Sequence, residues 1–237
     1  MDKRERAVVA TVGRWGFWIA IGVALLLISG FVELSHELFE PPQGTGRILG
    51  FDRAILLFVL RVRRAWLSGL AMDMTALGSP LLIGLFTVVL GAMLLLKGDR
   101  RGAAALAIAS LSSALLTEAL KRLLERPRPQ IIPRLVEVWS LSYPSGHSLA
   151  SSAFYLTAAL VLARHLTTSM QRASAFVFAA SVTVLVGASR VYLGVHYPSD
   201  VIAGILVGGA EAAVLGALLH RFDRRPGALP TRLPSAP

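Results

Sequence analysis

No cysteine occurs among the 237 residues. Disulfides, cysteine nucleophiles and thiolate-bound metals are thereby excluded. The compartment stays open, because a cysteine-free chain suits either side of a membrane. Charge is also scarce: 16% of the residues are Asp, Glu, Lys or Arg, against about 25% in an ordinary soluble domain. Acidic residues number 14 against 24 basic ones, and they form no carboxylate cluster able to hold Mg²⁺. No internal repeat is evident. What fills the space left by charge is apolar: 54% of the residues are hydrophobic and the mean hydropathy is +0.63. The apolar residues come in blocks near the roughly 17–25 residues that a bilayer-crossing helix needs. This composition predicts an all-α fold, a polytopic membrane helical bundle.

A net charge of +10 could suggest nucleic acid. The basic residues, however, are scattered between hydrophobic blocks and build no soluble basic domain. Lys and Arg in such places are topology signals that also attract anionic headgroups. The expected partner is the lipid bilayer, and no nucleic acid.

Residues 1–14, "MDKRERAVVATVGR", read as a basic cytoplasmic N-terminus. The run that follows, "WGFWIAIGVALLLISGFVEL", is one span. It is long for a signal peptide and no A-x-A-like cleavage site follows, so it reads as a retained anchor with Trp15 and Trp18 at the interface. After "EPPQGTG" a helical pattern over 51–79 carries Arg61, Arg63 and Arg64. Three arginines in mid-bilayer would cost roughly 2.5–3.5 kcal/mol each, so this stretch is expected to be a surface amphipathic helix. Spans follow near 80–96, 102–120, 148–164, 174–190 and 201–219. Six transmembrane helices thus occupy a membrane domain over 15–220. The tail over 221–237, basic and then Pro-rich, is expected to be disordered.

Placing the N-terminus inside puts 13 of the 24 basic residues on the inner side. Five of the outer ones cluster over 121–134 and a sixth is Arg190. If those six serve an anion site, the remaining bias becomes 13 to 5 in favour of cytoplasmic termini. In that topology the third and fifth spans end, and the fourth and sixth begin, at the outer face. Lys121, Arg128, Ser145, His147, Arg190, His196 and Asp200 then share one membrane level.

Those residues have the makings of phosphate chemistry. Pro198 suits the first turn of a helix, which puts Asp200 where the helix dipole favours a carboxylate. His196, four residues earlier, can give its Nδ1–H to Asp200 and present the Nε2 lone pair, as an oriented nucleophile or base does. In "PSGHS", Gly146 opens a span whose free N–H groups face outward, an anion-binding arrangement with Ser145 as donor and His147 as titratable group. In "KRLLERPRP", the alternating prolines force an extended backbone that directs Arg128. Lys121, Arg128 and Arg190 are three cations suited to phosphate oxygens. At an effective dielectric near 20 each contact is worth about 4 kcal/mol before desolvation. Three can hold a dianionic phosphate and its in-line transition state without a metal. Arg122, Arg126 and Arg134 are expected only to attract headgroups. Glu118 can pair with Lys121 or Arg122, and Glu211 in the last span reads as a hydrogen-bonded structural group. Gly204 and Gly208 read as close packing inside the bundle. His36 is placed on the outer surface, His165 and His220 at the cytoplasmic edge.

Lys121, six residues, Arg128-Pro129; Pro144-Ser145-Gly146-His147; and Ser189-Arg190, five residues, His196, three residues, Asp200 together resemble the three-part signature of the type 2 phosphatidic acid phosphatase superfamily. That family includes membrane lipid phosphatases, glucose-6-phosphatase and vanadium haloperoxidases. Every signature position is matched within 121–200. The resemblance implies an integral membrane phosphatase, with no cofactor and no metal, acting on a lipid phosphate or an isoprenyl diphosphate. It implies that His196 attacks phosphorus to form a phosphohistidine and that Asp200 orients it. His147 would protonate the leaving group and then activate water, while Lys121, Arg128, Ser145, Gly146 and Arg190 hold the phosphate. Two other readings use the same residues: a lipid phosphotransferase, and a non-catalytic anion-binding membrane protein such as a channel or scaffold. Haloperoxidase chemistry is disfavoured, since the family members with it are soluble. Size and simplicity point to a multi-pass protein of a bacterial inner (plasma) membrane with its site on the outer, periplasmic face.

Overall fold

A computed structural model describes residues 3–39 and 46–223, with side chains from Trp15 onward. The described residues form eight α-helices: α1 (Lys3–Phe39), α2 (Arg47–Val62), α3 (Ala65–Ala76), α4 (Pro80–Leu96), α5 (Arg100–Leu124), α6 (Gly146–Ala163), α7 (Ser169–Tyr192) and α8 (Pro198–Asp223). Five of them are long and apolar enough to cross a membrane, or six when α3 and α4 count as one span bent by 46°. The all-α membrane bundle read from composition is the observed fold. The basic character of residues 1–14 lies in side chains outside the described residues, as do most of the "EPPQGTG" loop and the tail beyond Asp223.

Local chemistry sets the helix starts. Ser79 accepts the Leu82 N–H at 3.3 Å ahead of Pro80, and Asp99 accepts the Gly102 N–H at 2.9 Å. Thr168 and Gln171 close a reciprocal capping box on α7. Ser145 caps α6.

The stretch expected to be one surface helix over 51–79 is instead two helices. The chain breaks at Arg63 and Arg64, and the second piece runs through a bend into α4. Only α2 is amphipathic, burying Asp52, Leu56 and Val59 on one face. Two arginines sit at the break, Arg63 closing α2 and Arg64 opening α3. Arg63 donates to the carbonyls of Pro133 at 2.8 Å and Tyr192 at 2.9 Å, and the Arg64 N–H donates to the Tyr192 hydroxyl at 3.0 Å. The two Arg63 bonds take up backbone carbonyls of the α5–α6 segment and of the end of α7, both at the site end of the bundle.

The centre is α6, flanked by α5, α7 and α8. Its buried face is largely small: Ser148, Ser151, Ser152, Ala153 and Ala159. Small residues let helix backbones approach where lipid supplies no hydrophobic drive. The α8 side matches it. A Cβ at Gly208 would stand 2.3 Å from the Leu149 carbonyl, and one at Gly204 would stand 2.6 Å from the Ser145 carbonyl. The expected close packing of these two glycines is what the structure shows. Ser112 of α5 donates a hydrogen bond to Glu211 of α8, so that carboxyl joins two helices. Large apolar side chains face outward instead, Leu96 being 89% and Leu81 79% exposed, as a hydrocarbon surround requires.

This packing makes a stability prediction. Gly208→Ala pushes against backbone and should lower unfolding stability in detergent by about 1–3 kcal/mol. Gly84→Ala, with nothing within 4 Å of the new methyl, should leave the melting temperature unchanged or slightly raised. Equal melting temperatures for Gly208→Ala and the wild type would show that α6 and α8 are not in backbone contact there.

Candidate active site

At one end of the bundle the α5–α6 segment, the N-terminus of α6, the C-terminus of α7 and the start of α8 meet. His196 lies in the short turn between α7 and α8, 1% exposed. Its Nδ1 is 3.3 Å from Asp200 Oδ2 and its Nε2 is 3.2 Å from an Arg128 guanidinium nitrogen. A carboxylate only accepts and a guanidinium only donates. Together they assign the proton to Nδ1 and the lone pair to Nε2. Burial pushes the His196 pKa down to about 4, and Asp200 only partly opposes it. The ring is therefore neutral at pH 7.

Asp200 is fully buried and its two oxygens are divided. Oδ2 also accepts from the Tyr197 N–H at 2.9 Å and from the Ser142 hydroxyl. Oδ1 accepts from Arg126 at 2.6 Å. The carbonyl of Asp200 accepts the Ser145 N–H at 2.9 Å, which ties the start of α6 to the start of α8.

The three expected phosphate-binding cations are all buried here. Arg128 donates to the Ser140 and Val195 carbonyls, each at 2.6 Å, and to Ser140 Oγ at 3.0 Å. Lys121 donates to the same Oγ at 3.0 Å. Arg190 donates to Thr75 Oγ1 at 2.9 Å, while its Nε is buried with no partner. Buried donors left unpaired are costly, so Arg190 keeps a donor that a further acceptor would satisfy. His147, in the first turn of α6, is partly buried and makes no hydrogen bond with the described residues. It lies within electrostatic reach of Arg190, His196, Lys121 and Arg128. All eight residues singled out from the sequence thus come to one end of the bundle.

Two local contacts stand beside the expected roles. Ser145 Oγ accepts from the Ser148 N–H at 3.5 Å and the Ser148 hydroxyl at 3.0 Å, so it caps α6 in this arrangement. At Gly146 a Cβ would meet the Thr117 methyl of α5 at 2.7 Å. Glycine there admits a neighbouring helix.

One expectation is overturned. Arg126, expected only to attract lipid headgroups, is 7% exposed. It bonds Asp200, Ser199 Oγ at 2.7 Å and Asp52 Oδ2 at 2.8 Å, with the Tyr197 ring 4.0 Å from its guanidinium carbon. The sequence held a signal for this. Both Arg126 and Arg128 precede proline, which favours extended backbone, and in extended chain residues two apart face the same way. Arg122 and Arg134 remain at the surface, Arg122 paired with Glu118 at 2.7 Å and Arg134 bonded to the Pro129 carbonyl. Asp52, Ser140, Ser142, Thr75 and Ser199 were not foreseen. Of these only Asp52 carried a cue, as a carboxylate in register with the buried Leu56 and Val59 of α2.

His165 pairs with Asp99 at 3.0 Å beside Arg164, at the opposite end of the bundle. The His220 ring packs beside Gly16 of α1. His36 is exposed near the site end of α1. Among the described residues no three His, Asp or Glu side chains group as metal ligands would.

A multi-pass helical bundle with a buried histidine–aspartate pair among three cations defines a class of membrane protein that handles phosphate. Residues 102–224 match the family model of the PAP2 superfamily. The chain is 33% identical over 183 residues to phosphatidylglycerophosphatase B of Bacillus subtilis, covering 76% of this chain and 87% of that one. It is 26% identical over 200 residues to an undecaprenyl-diphosphatase of Sulfolobus acidocaldarius, covering 82% and 87%. Among solved structures, a transmembrane PAP2-type phosphatidylglycerolphosphate phosphatase from Bacillus subtilis superposes with a TM-score of 0.73 at 30% identity, covering 87% of this chain and 98% of that one. The chain belongs to the PAP2 superfamily.

Proposed function

We propose that this chain is an integral membrane phosphatase that hydrolyses a lipid phosphate or an isoprenyl diphosphate through a phosphohistidine on His196. The observation that carries the reading is the placement of the buried His196 ring, its Nε2 3.2 Å from Arg128 and its Nδ1 3.3 Å from Asp200. The names of the relatives, which act on a phosphatidylglycerophosphate and an undecaprenyl diphosphate, support an amphiphilic substrate. So does the setting, a polar cluster at the end of helices whose outer surfaces are apolar.

In this reading the phosphate enters between Lys121, Arg128 and Arg190, and Arg190 Nε gains the acceptor it lacks. The N-terminus of α6 adds backbone N–H donors. Nε2 attacks phosphorus in line, the bond from phosphorus to the leaving oxygen breaks, and His147 gives that oxygen a proton. The His196 ring is then cationic, and Asp200 stabilises it. His147, now neutral, takes a proton from water, the water oxygen attacks phosphorus, and the phosphorus–nitrogen bond breaks. Orthophosphate leaves and both histidines regain their starting protonation. The proposed orientation puts the site at the outer face and both termini in the cytoplasm. An excess of basic residues on that side, 13 against 7 once Lys121, Arg126, Arg128 and Arg190 are set aside for the site, supports it, and six spans, with α3 and α4 counted as one, would put both termini on one side.

Purified protein should release inorganic phosphate from a panel of lipid phosphates with EDTA present, and His196→Ala should abolish release. Full activity in that variant would remove His196 from this role. Activity should depend on pH as a bell, because one histidine must be neutral and the other charged. After allowance for substrate ionisation, the acid limb should fall near 4, where His196 gains its proton. A limb at the free-imidazole value of about 6.5 would contradict the burial of His196.

A further inference from the structure

Behind His196 lies a buried charge network of which the phosphate chemistry above uses only Asp200. Arg126 stands between two carboxylates, 2.6 Å from Asp200 Oδ1 and 2.8 Å from Asp52 Oδ2. Asp52 is 1% exposed. It also accepts the Ser199 N–H at 2.9 Å and the Ser199 hydroxyl at 2.5 Å. No hydrogen bond or ion pair joins Asp52 to His196 or to the three phosphate-facing cations. Its partners belong to α8 and to the segment after α5, although Asp52 itself sits on the amphipathic helix α2.

Buried ion pairs are poor sources of stability, because desolvation offsets much of their attraction. A network of two carboxylates and one guanidinium, fully withdrawn from water, therefore calls for a reason beyond holding α2 to α8. Its charge supplies one. Asp200 paired with Arg126 alone would be close to neutral when seen from the His196 ring. With Asp52 on the far side, the three groups carry one net negative charge. Burial works against the charge on Arg126, but Asp200 and Asp52 outweigh it and hold its pKa above the ordinary arginine value. The guanidinium thus stays charged and fixed.

We propose that Asp52 and Arg126 are positioning residues for phosphoryl transfer: Arg126 fixes the Asp200 carboxylate, and Asp52 offsets the Arg126 charge so that Asp200 presents a net negative charge to His196. The proposal rests on the reading of His196 as the nucleophile. It gives α2 a part in the reaction, since the helix delivers the one carboxylate that restores this balance. The ring needs that charge most when it carries the phosphoryl group and is cationic.

The other charged and titratable groups facing His196 are Arg128 of the α5–α6 segment, Arg190 of α7 and His147 of α6, with Lys121 of α5 beside them. All of them are left unsubstituted in the following test, so that only the charge of the network differs between variants. The ring ¹⁵N shifts of His196 are followed against pH in detergent micelles, with the signal assigned by its loss in His196→Ala. Turnover is measured on the same preparations. Asp52→Asn removes a negative charge and should lower the His196 midpoint. Arg126→Gln removes a positive one and should raise it. Each shift should be about 1 pH unit, the scale of one nearby charge acting through an effective dielectric near 20. Asp52→Asn should lower kcat about 10–100-fold, as loss of an outer partner of an oriented histidine commonly does, with KM changed little. The double variant restores one net negative charge, so its midpoint should return toward the wild type.

If Asp52→Asn alone does not fold, the double variant compared with Arg126→Gln carries the same test, and its midpoint must be the lower. Midpoints that move in the same direction, or not at all, would reduce the network to a structural tie and overturn the proposal. Activity surviving in His196→Ala would instead overturn the reading of the nucleophile, whatever the two midpoints do.

Discussion

The Asp200 carboxylate can only accept hydrogen bonds, and it is fully buried, so every group around its oxygens must bring a donor. His196, Ser142, the Tyr197 amide and Arg126 do so. Those bonds fix the imidazole tautomer, and from the tautomer follows a lone pair on Nε2 facing Arg128. The backbone of Asp200 serves the same end, since its carbonyl takes the Ser145 N–H and sets the start of α6 against the start of α8. One residue thus holds together the proposed nucleophile, the helix N-terminus beside it and the network behind it.

The rest of the bundle makes that convergence possible. Four segments reach one point only if their helices run close and parallel enough for their ends to coincide. The glycines of α8 and the serines and alanines of α6 supply that closeness. A bulky residue at 208 would drive into the Leu149 carbonyl and move the ends of both helices. Arg63 works from the other side, clamping the Pro133 and Tyr192 carbonyls and so the α5–α6 segment that carries Arg128 and the end of α7 that leads to His196. Packing in the membrane and geometry at its edge are in this sense one problem.

Much of this was legible in the sequence because it is local. Span-length apolar blocks gave the helices, and the four-residue step from His196 to Asp200 gave the hydrogen bond. Pro198 gave the start of α8. What escaped depends on residues far apart in the chain. Asp52 meets Ser199 across 147 positions, and nothing in a single sequence links them. Arg126 was misjudged because arginine near a membrane edge usually serves headgroups, although the Arg-Pro-Arg-Pro alternation pointed it the same way as Arg128. The break at Arg63 and Arg64 was hidden for a similar reason: the residues that looked like interruptions of a surface helix bond groups that only the folded bundle brings near. Serines are silent in the same way, since Ser140 and Ser142 acquire their meaning from what lies opposite.

The proposed covalent step can be examined directly by trapping. Protein mixed briefly with a ³²P-labelled lipid phosphate and quenched in base, where phosphohistidine survives, should carry label on the peptide containing His196. The label should vanish in His196→Ala; in His147→Ala, which lacks the acid of the first half and the base of the second, it should form more slowly and, once formed, persist longer than in the wild type. Label on His147 instead, or rapid turnover with His196 never labelled, would contradict the account at its centre.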